Sequence, residues 1–379
     1  MIPLSIPHLD GNEWTYVKDC LDTGWISSAG AYVTQFEQAV AAEARARHGV
    51  ACMNGTAGLH LCMRLLGVGR GDLVVVPNIT FIASANAVAY LGAEPVLIDV
   101  DGGTWQMDLD ALETFLSEDC ERDGEGQVLR KRDHRRVAAI MPVHVLGNMC
   151  DVHRLQRIAG TYDLPVVEDS TEALGSTYAG QAAGTFSRMG VFSFNGNKII
   201  STGGGGVIVT DDAELAARAK HLSTQAKPDP MEYFHDAIGY NYRLVNILAA
   251  VGVAQMEQFG GILERKKDTD AYYREHLAGV GDIRFQEVLP DCNPNCWLFT
   301  MATSRMRELL AHLNGAGVQS RPFWVPMNEL PMFSEAQFAS NGNRSAEVFA
   351  TAISIPSSAG LTDEQRATVV GEVRSFYDA

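Results

Sequence analysis

The chain has 379 residues, 46% of them hydrophobic and 20% charged, a globular balance with ample length for a large core. Its formal net charge is −16 and it carries no long basic patch, which argues against a nucleic-acid partner. The seven cysteines are scattered, odd in number and without a CxxC pair, which predicts reduced thiols in a cytoplasmic protein, no disulfide framework and no metal site. The start, Met1-Ile2-Pro3-Leu4-Ser5, has neither the positive charge nor the apolar core of a signal peptide, and no apolar run approaches the ~20 residues of a membrane span.

From about residue 35 to 210, helical and strand patterns alternate. Helices are predicted over 36–46, over 56–66 (Leu59, Cys62, Met63 and Leu66 at helical spacing) and over the alanine-rich 82–91. Between and after them, 50–53, 73–77, 95–100, 137–143, 166–169, 190–194 and 207–210 are short, nearly continuous apolar runs, as in strands covered on both faces. The acidic 118–126 followed by the basic 130–136 predicts a solvated, charge-balanced loop. Residues 244–259 predict a long amphipathic helix that continues through the charged 264–267. A strand over 297–301, a helix over 306–315 and a proline-rich 321–333 follow.

Such alternation implies an α/β protein. Its large domain has a mostly parallel central sheet with helices on both faces, and ligands sit beyond the carboxyl ends of the strands. The later pattern predicts a smaller α+β carboxyl-terminal domain. The division expected is 21–258 for the large domain and 259–379 for the small one, with residues 1–20 returning to the small domain.

Lys198 ends Phe192-Ser193-Phe194-Asn195-Gly196-Asn197-Lys198 and precedes four glycines, 203–206. Upstream, Asp169 closes the apolar run from Leu164. An amine beside a serine and a glycine run, with an acid at the end of a buried strand, suits pyridoxal phosphate (PLP) chemistry. The lysine forms a Schiff base with the aldehyde, and the carboxylate keeps the pyridine nitrogen protonated. Taken alone, Lys198 favours the reading of a surface lysine near a flexible loop, since most lysines are solvated, and the rest of the chain reverses that. Asn54-Gly55-Thr56-Ala57 joins a strand to a helix, where backbone N–H groups suit a phosphate or form an ordinary cap by Asn54 or Thr56. Ser193 is placed for the same phosphate, or is a buried serine. Phe81 is placed to cover a ring, or belongs to the core. Glu172 reaches the site if a helix begins there, where it bonds the ring hydroxyl or caps that helix. The glycine run suggests close backbone approach and lacks the GxGxxG of a dinucleotide site.

In these residues the chain resembles the DegT/DnrJ/StrS family of PLP-dependent sugar aminotransferases, which has the aspartate aminotransferase fold (fold type I). The resemblance spans nearly the whole chain. It includes Asn54 to Ala57, the block 77–101, Pro142-Val143-His144-Val145-Leu146-Gly147, Glu168-Asp169-Ser170-Thr171-Glu172-Ala173, Ser193 to Lys198 and Gly239-Tyr240-Asn241-Tyr242-Arg243. Within the family the LegC-type branch is most similar, through 21–28, 195–206, Thr224-Gln225-Ala226-Lys227, 319–324 and 355–358.

The resemblance implies Lys198 as the Schiff-base lysine and Asp169 as the partner of the pyridinium nitrogen. Gly55, Thr56 and Ser193 would hold the phosphate, with Ala57 in the same turn. Phe81 would stack on the ring and Glu172 would meet its hydroxyl. Asn241 would reach the cofactor phosphate of a second subunit, which implies a homodimer with shared active sites. The reaction implied moves the amine of L-glutamate, through pyridoxamine phosphate, to C4 of a nucleotide-linked 4-keto-6-deoxy sugar. The branch favours UDP-2-acetamido-4-keto-2,6-dideoxyhexose, on the way to legionaminic acid or lipopolysaccharide glycans; a GDP-linked, perosamine-like acceptor is the alternative. Trp25, Ser27 or His144 would contact the sugar. Arg321 would meet either the donor carboxylate or a nucleotide phosphate. Two departures stand out. Glu172 replaces the glutamine or histidine of many members, and Asn328 stands where LegC-like chains often have histidine. Family dehydratases carry histidine in place of the lysine, so Lys198 argues against that reaction, and with Asp169 it argues against a non-catalytic sensor.

Overall fold

The computed structural model describes residues 1–229 and 231–378. His48–Cys52, Gly206–Thr210, Met189–Ser193 and Val167–Asp169 lie side by side in that order. Bridges Ile140 to Val166 and Val143 to Asp169 join them to Arg135–Ile140, then Leu73–Pro77, Glu94–Ile98 and Phe338–Ala339. This is the mostly parallel sheet expected from the alternating pattern. Gly206–Thr210 is antiparallel to both neighbours, and beyond Arg135–Ile140 the sheet continues antiparallel through Val128–Arg130 and Cys120–Arg122. Leu73, Val74, Val75 and Val76 are each fully buried, because helices cover both faces and leave no side for polar residues.

The second sheet, Arg284–Phe285, Thr300–Ala302, Ala352–Ser354 and Arg321–Pro322, is wholly antiparallel. It packs with Phe259–Leu277, Met306–Gly315 and Asp363–Asp378 around Tyr273, Phe299, Met301 and Leu309. Ile2 bridges Val318, and the Ser357 N–H donates to the Leu4 carbonyl, so the first residues lie on this layer. Helix Glu13–Thr23 instead packs on helix Asn246–Glu257, with Gln255 Nε2 donating to Glu13 Oε1 (2.6 Å). Phe338–Ala339, although late in sequence, adds to the edge of the large sheet.

Two expectations are corrected. The helix over 244–259 does not run on. It breaks at Gln258 (φ −104°, ψ −1°), and Phe259–Leu277 starts afresh. The charged stretch 118–136 is not a loop. Cys120–Arg122 and Val128–Arg130 form a hairpin, and Arg130 is 1% exposed. Its Nε donates to Asp133 Oδ1 (2.9 Å), its Nη2 to Asp133 Oδ2 and its Nη1 to Gln337 Oε1 (3.1 Å). The Arg130 hydrogen bond holds the Asp133 carboxyl below its usual range. Asp133→Ala strips a buried cation of its bidentate partner. It is expected to cost about 3 kcal/mol in urea unfolding, the low end for a broken buried pair, because Glu94 still lies 3.9 Å away.

Lys266 on Phe259–Leu277 is 3% exposed, and burial pushes its amine down to about 7. The unfolded chain then binds the extra proton between about pH 7 and the ordinary lysine value near 10.4. Stability therefore rises with pH across that window. Urea midpoints measured from pH 7 to 10 are expected to climb, and Lys266→Met is expected to lose that slope.

Candidate active site

Val167–Asp169 runs in the parallel part of the sheet, so Asp169 sits at its carboxyl edge, 2% exposed. Ser84 Oγ donates to Asp169 Oδ2 (2.6 Å), and the Thr171 N–H donates to Oδ1 (3.2 Å). No cation pairs with this buried carboxylate among the described residues. A carboxylate has about four lone-pair sites, so room remains for a positively charged N–H, which is what a pyridinium offers.

Lys198 lies in the turn after Met189–Ser193, with its side chain 11% exposed. Its Nζ is 3.4 Å from Glu172 Oε1 and 4.1 Å from the centroid of the Trp297 ring. Glu172 faces Lys198 from a turn rather than a helix, so the capping alternative falls away. Its Oε2 accepts the Leu146 N–H (2.8 Å), and Asn295 Nδ2 donates to its carbonyl (2.8 Å). Burial pushes the Glu172 carboxyl up, while Lys198 and the Leu146 N–H pull it down by less. Glu172 is thus easier to protonate than a free carboxyl, and it can hold a proton beside the amine.

The anion end is built at helix Gly55–Leu65. The cap is Asn54, whose Oδ1 accepts the Ala57 N–H (2.8 Å). That bond corrects the expectation for Ala57, whose N–H is already taken. The Gly55 and Thr56 N–H groups and the Thr56 hydroxyl stand at the helix start, where the dipole favours an anion, and the Ser193 side chain borders Gly55. A Cβ on Gly55 would lie 2.9 Å from Thr171 Cγ2 and 3.0 Å from Ser193 Cβ, so these three residues meet in one cradle. A Cβ on Gly206 would lie 2.6 Å from the Asn54 carbonyl, the close backbone approach that the glycine run suggested. The cradle and the uncompensated Asp169 fit the two ends of a pyridoxal phosphate. Gly55→Ala pushes the helix start away from Ser193 and is expected to weaken cofactor binding by about tenfold or more, with the fold retained. Equilibrium dialysis against the cofactor measures it.

The remaining expected residues are dispersed. Phe81, 54% exposed, follows the carboxyl end of Leu73–Pro77. Asn241 is exposed, and its backbone bridges to Thr224. It follows a segment bearing Met231, Tyr233, Phe234 and Ile238, all exposed. Ser27 is exposed, and Trp25 lines a surface cleft of about 490 Å³ with Tyr32 and Asn246. Arg321 is exposed on the edge of the small sheet. His144 is fully buried, with Nε2 2.9 Å from Glu168 Oε2, so it presents no surface to a sugar; this corrects its place among the sugar contacts. Glu168 also accepts the Gly184 and Phe186 N–H groups, which makes it an acceptor hub behind Asp169. Ser84, Trp297 and Asn295 touch the site but were not anticipated. An isolated serine in an alanine-rich helix and a tryptophan about a hundred residues beyond the lysine carry no local signal.

Comparison with known proteins agrees with this geometry. Residues 7–374 match the DegT/DnrJ/EryC1/StrS aminotransferase family. The chain is 37% identical to a GDP-perosamine synthase of Caulobacter vibrioides, over 96% of this chain and 94% of that protein. It is 35% identical to a GDP-perosamine synthase of Escherichia coli O157:H7, over 99% and 98%. Among solved structures it resembles S. venezuelae DesV in complex with a ketimine intermediate, with TM-score 0.86, 31% identity, and 97% and 95% of the two chains covered. No helix among the described residues is long and apolar enough to cross a membrane. The chain belongs to the DegT/DnrJ/EryC1/StrS family of PLP-dependent sugar aminotransferases.

Proposed function

We propose that this enzyme transfers the amine of L-glutamate to C4 of a GDP-linked 4-keto-6-deoxy sugar. The observation that carries the choice of nucleotide is the near full-length identity, 37% and 35%, to two GDP-perosamine synthases. It displaces the UDP-linked acceptor implied by the LegC-type resemblance, which stays as the second reading through the stretches 21–28 and 195–206.

The cofactor, when bound, supplies an electron sink for the charge that develops at the donor Cα. The chain's own residues do the rest. Lys198 Nζ takes the proton from that carbon and would deliver it to the cofactor carbon that receives the amine, with the reverse transfer serving the sugar. Glu172 keeps the amine in place and shares its proton. Asp169, oriented by Ser84 and Thr171, offers fixed negative charge to the ring nitrogen. The Gly55 and Thr56 N–H groups, with Ser193, hold the phosphate, and Phe81 covers the ring. Trp25, Ser27 and Arg321 line the approach of the nucleotide sugar. The exposed apolar residues 231–238 beside Asn241 support a homodimer in which Asn241 reaches the second site, since an apolar patch of this kind marks a contact surface. In this reading residues 259–379 form the small domain, apart from Phe338–Ala339 on the edge of the large sheet, and of the residues 1–20 expected to join it the first few lie on it while Glu13–Thr23 packs on the large domain.

The test supplies L-glutamate with GDP-4-keto-6-deoxymannose or with UDP-2-acetamido-4-keto-2,6-dideoxyglucose and follows the amino sugar by mass spectrometry. Turnover with the GDP sugar is expected. Turnover with the UDP sugar alone would restore the LegC-type reading.

A further inference from the structure

Lys266 is a buried amine that the reaction described above does not use. It stands in the middle of Phe259–Leu277, and its Nζ donates to two backbone carbonyls, those of Trp297 (2.8 Å) and Ser357. No carboxylate pairs with it among the described residues. The nearby ionisable groups are the Cys296 thiol and, sensed by that thiol, Asp270, Lys267 and Arg274. An amine without a counter-ion is costly to bury, so the bonds it makes are its function.

Trp297 is tied at every polar atom. Its N–H donates to Asn295 Oδ1 (3.0 Å), its carbonyl accepts from Lys266, and its indole N–H donates to the Asn197 carbonyl (2.7 Å). The ring so held lies 4.1 Å from Lys198 Nζ. Tyr273, further along the Lys266 helix, donates to the Pro356 carbonyl (2.9 Å) and secures the same strap. We propose that Lys266 is a positioning residue that holds the Trp297 ring against Lys198 and thereby sets how readily the Lys198 amine gains and loses its proton. A ring face beside Nζ favours its protonated, cationic form, whether Nζ is a free amine or the imine nitrogen that carries the cofactor. Loosening the ring therefore lowers the pH at which Lys198 titrates. The inference rests on Lys198 being the cofactor-bearing lysine.

Lys266→Met keeps the apolar stem and removes both bonds. Trp297→Leu keeps the carbonyl bond from Lys266 and removes the ring itself. In each variant, circular dichroism reports the fold, the visible absorbance of the cofactor on Lys198 is titrated with pH, and tryptophan fluorescence is read with and without cofactor. Both variants are expected to move the absorbance titration to lower pH by about half a unit or more, the scale of one exposed cation–π contact. Lys266→Met should also weaken the quenching of tryptophan fluorescence by bound cofactor. The double variant is expected to shift no further than Trp297→Leu alone, since Lys266 acts through the ring that leucine lacks. A titration unmoved in Trp297→Leu, or additive shifts in the double variant, would overturn the proposal. Wild-type protein that binds the cofactor with no titrating band at all would overturn both the proposal and the assignment of Lys198.

Discussion

Lys198→Ala is expected to lower turnover by at least about 10³-fold, because in the proposed function one amine both carries the cofactor and moves the donor's α-proton. The fold should survive. The side chain is shielded by Glu172 and Trp297 but contributes no backbone bond, and Glu172 left alone is a buried carboxyl already biased toward its neutral form. Release of 2-oxoglutarate from L-glutamate in the presence of the keto sugar measures the loss, and circular dichroism confirms folding. Folded variant with wild-type turnover would remove Lys198 from the reaction.

Asp169→Asn is expected to cost about 10²- to 10³-fold in turnover, the scale of deleting one preorganised electrostatic partner. The hydrogen bonds around it allow the amide to be accommodated. Its oxygen must face the Thr171 N–H, which can only donate, so its NH₂ faces Ser84, whose hydroxyl can turn round and accept. The shape is kept and the charge is lost. Cofactor affinity should fall in parallel, and the urea midpoint should stay near wild type. Normal activity in this variant would mean that the ring nitrogen is served by another group.

Asp169 and Lys198 stand out as candidates along the chain because each ends a local pattern. Asp169 closes a strand whose burial on both faces requires apolar residues, and Lys198 follows the next strand before a glycine run. The parallel sheet was legible for the same reason, since Leu73–Pro77 and Glu94–Ile98 have no polar face to hide. Bonds between distant segments were not legible. Arg130 reads as one more charge in a basic run, yet Asp133 and Gln337, the latter from the far end of the chain, allow it to be buried. The break at Gln258 leaves the amphipathic spacing continuous, so periodicity alone carries the helix through it.

Chain order alone was enough for the α/β class and for singling out Lys198, Asp169 and the glycine-bearing turn at Gly55 as candidates, because strand burial and helix-start chemistry act within a few residues. Folding in three dimensions settled which groups surround them. Ser84 reaches Asp169 from 85 positions away, and Trp297 reaches the lysine loop from 100 positions away. It withdrew His144 into a fully buried contact with Glu168, and it gave the lone amine of Lys266 two carbonyls to hold. A hydrogen bond or a ring contact depends on where side chains end in space, and that position is reached only when helices and sheets pack.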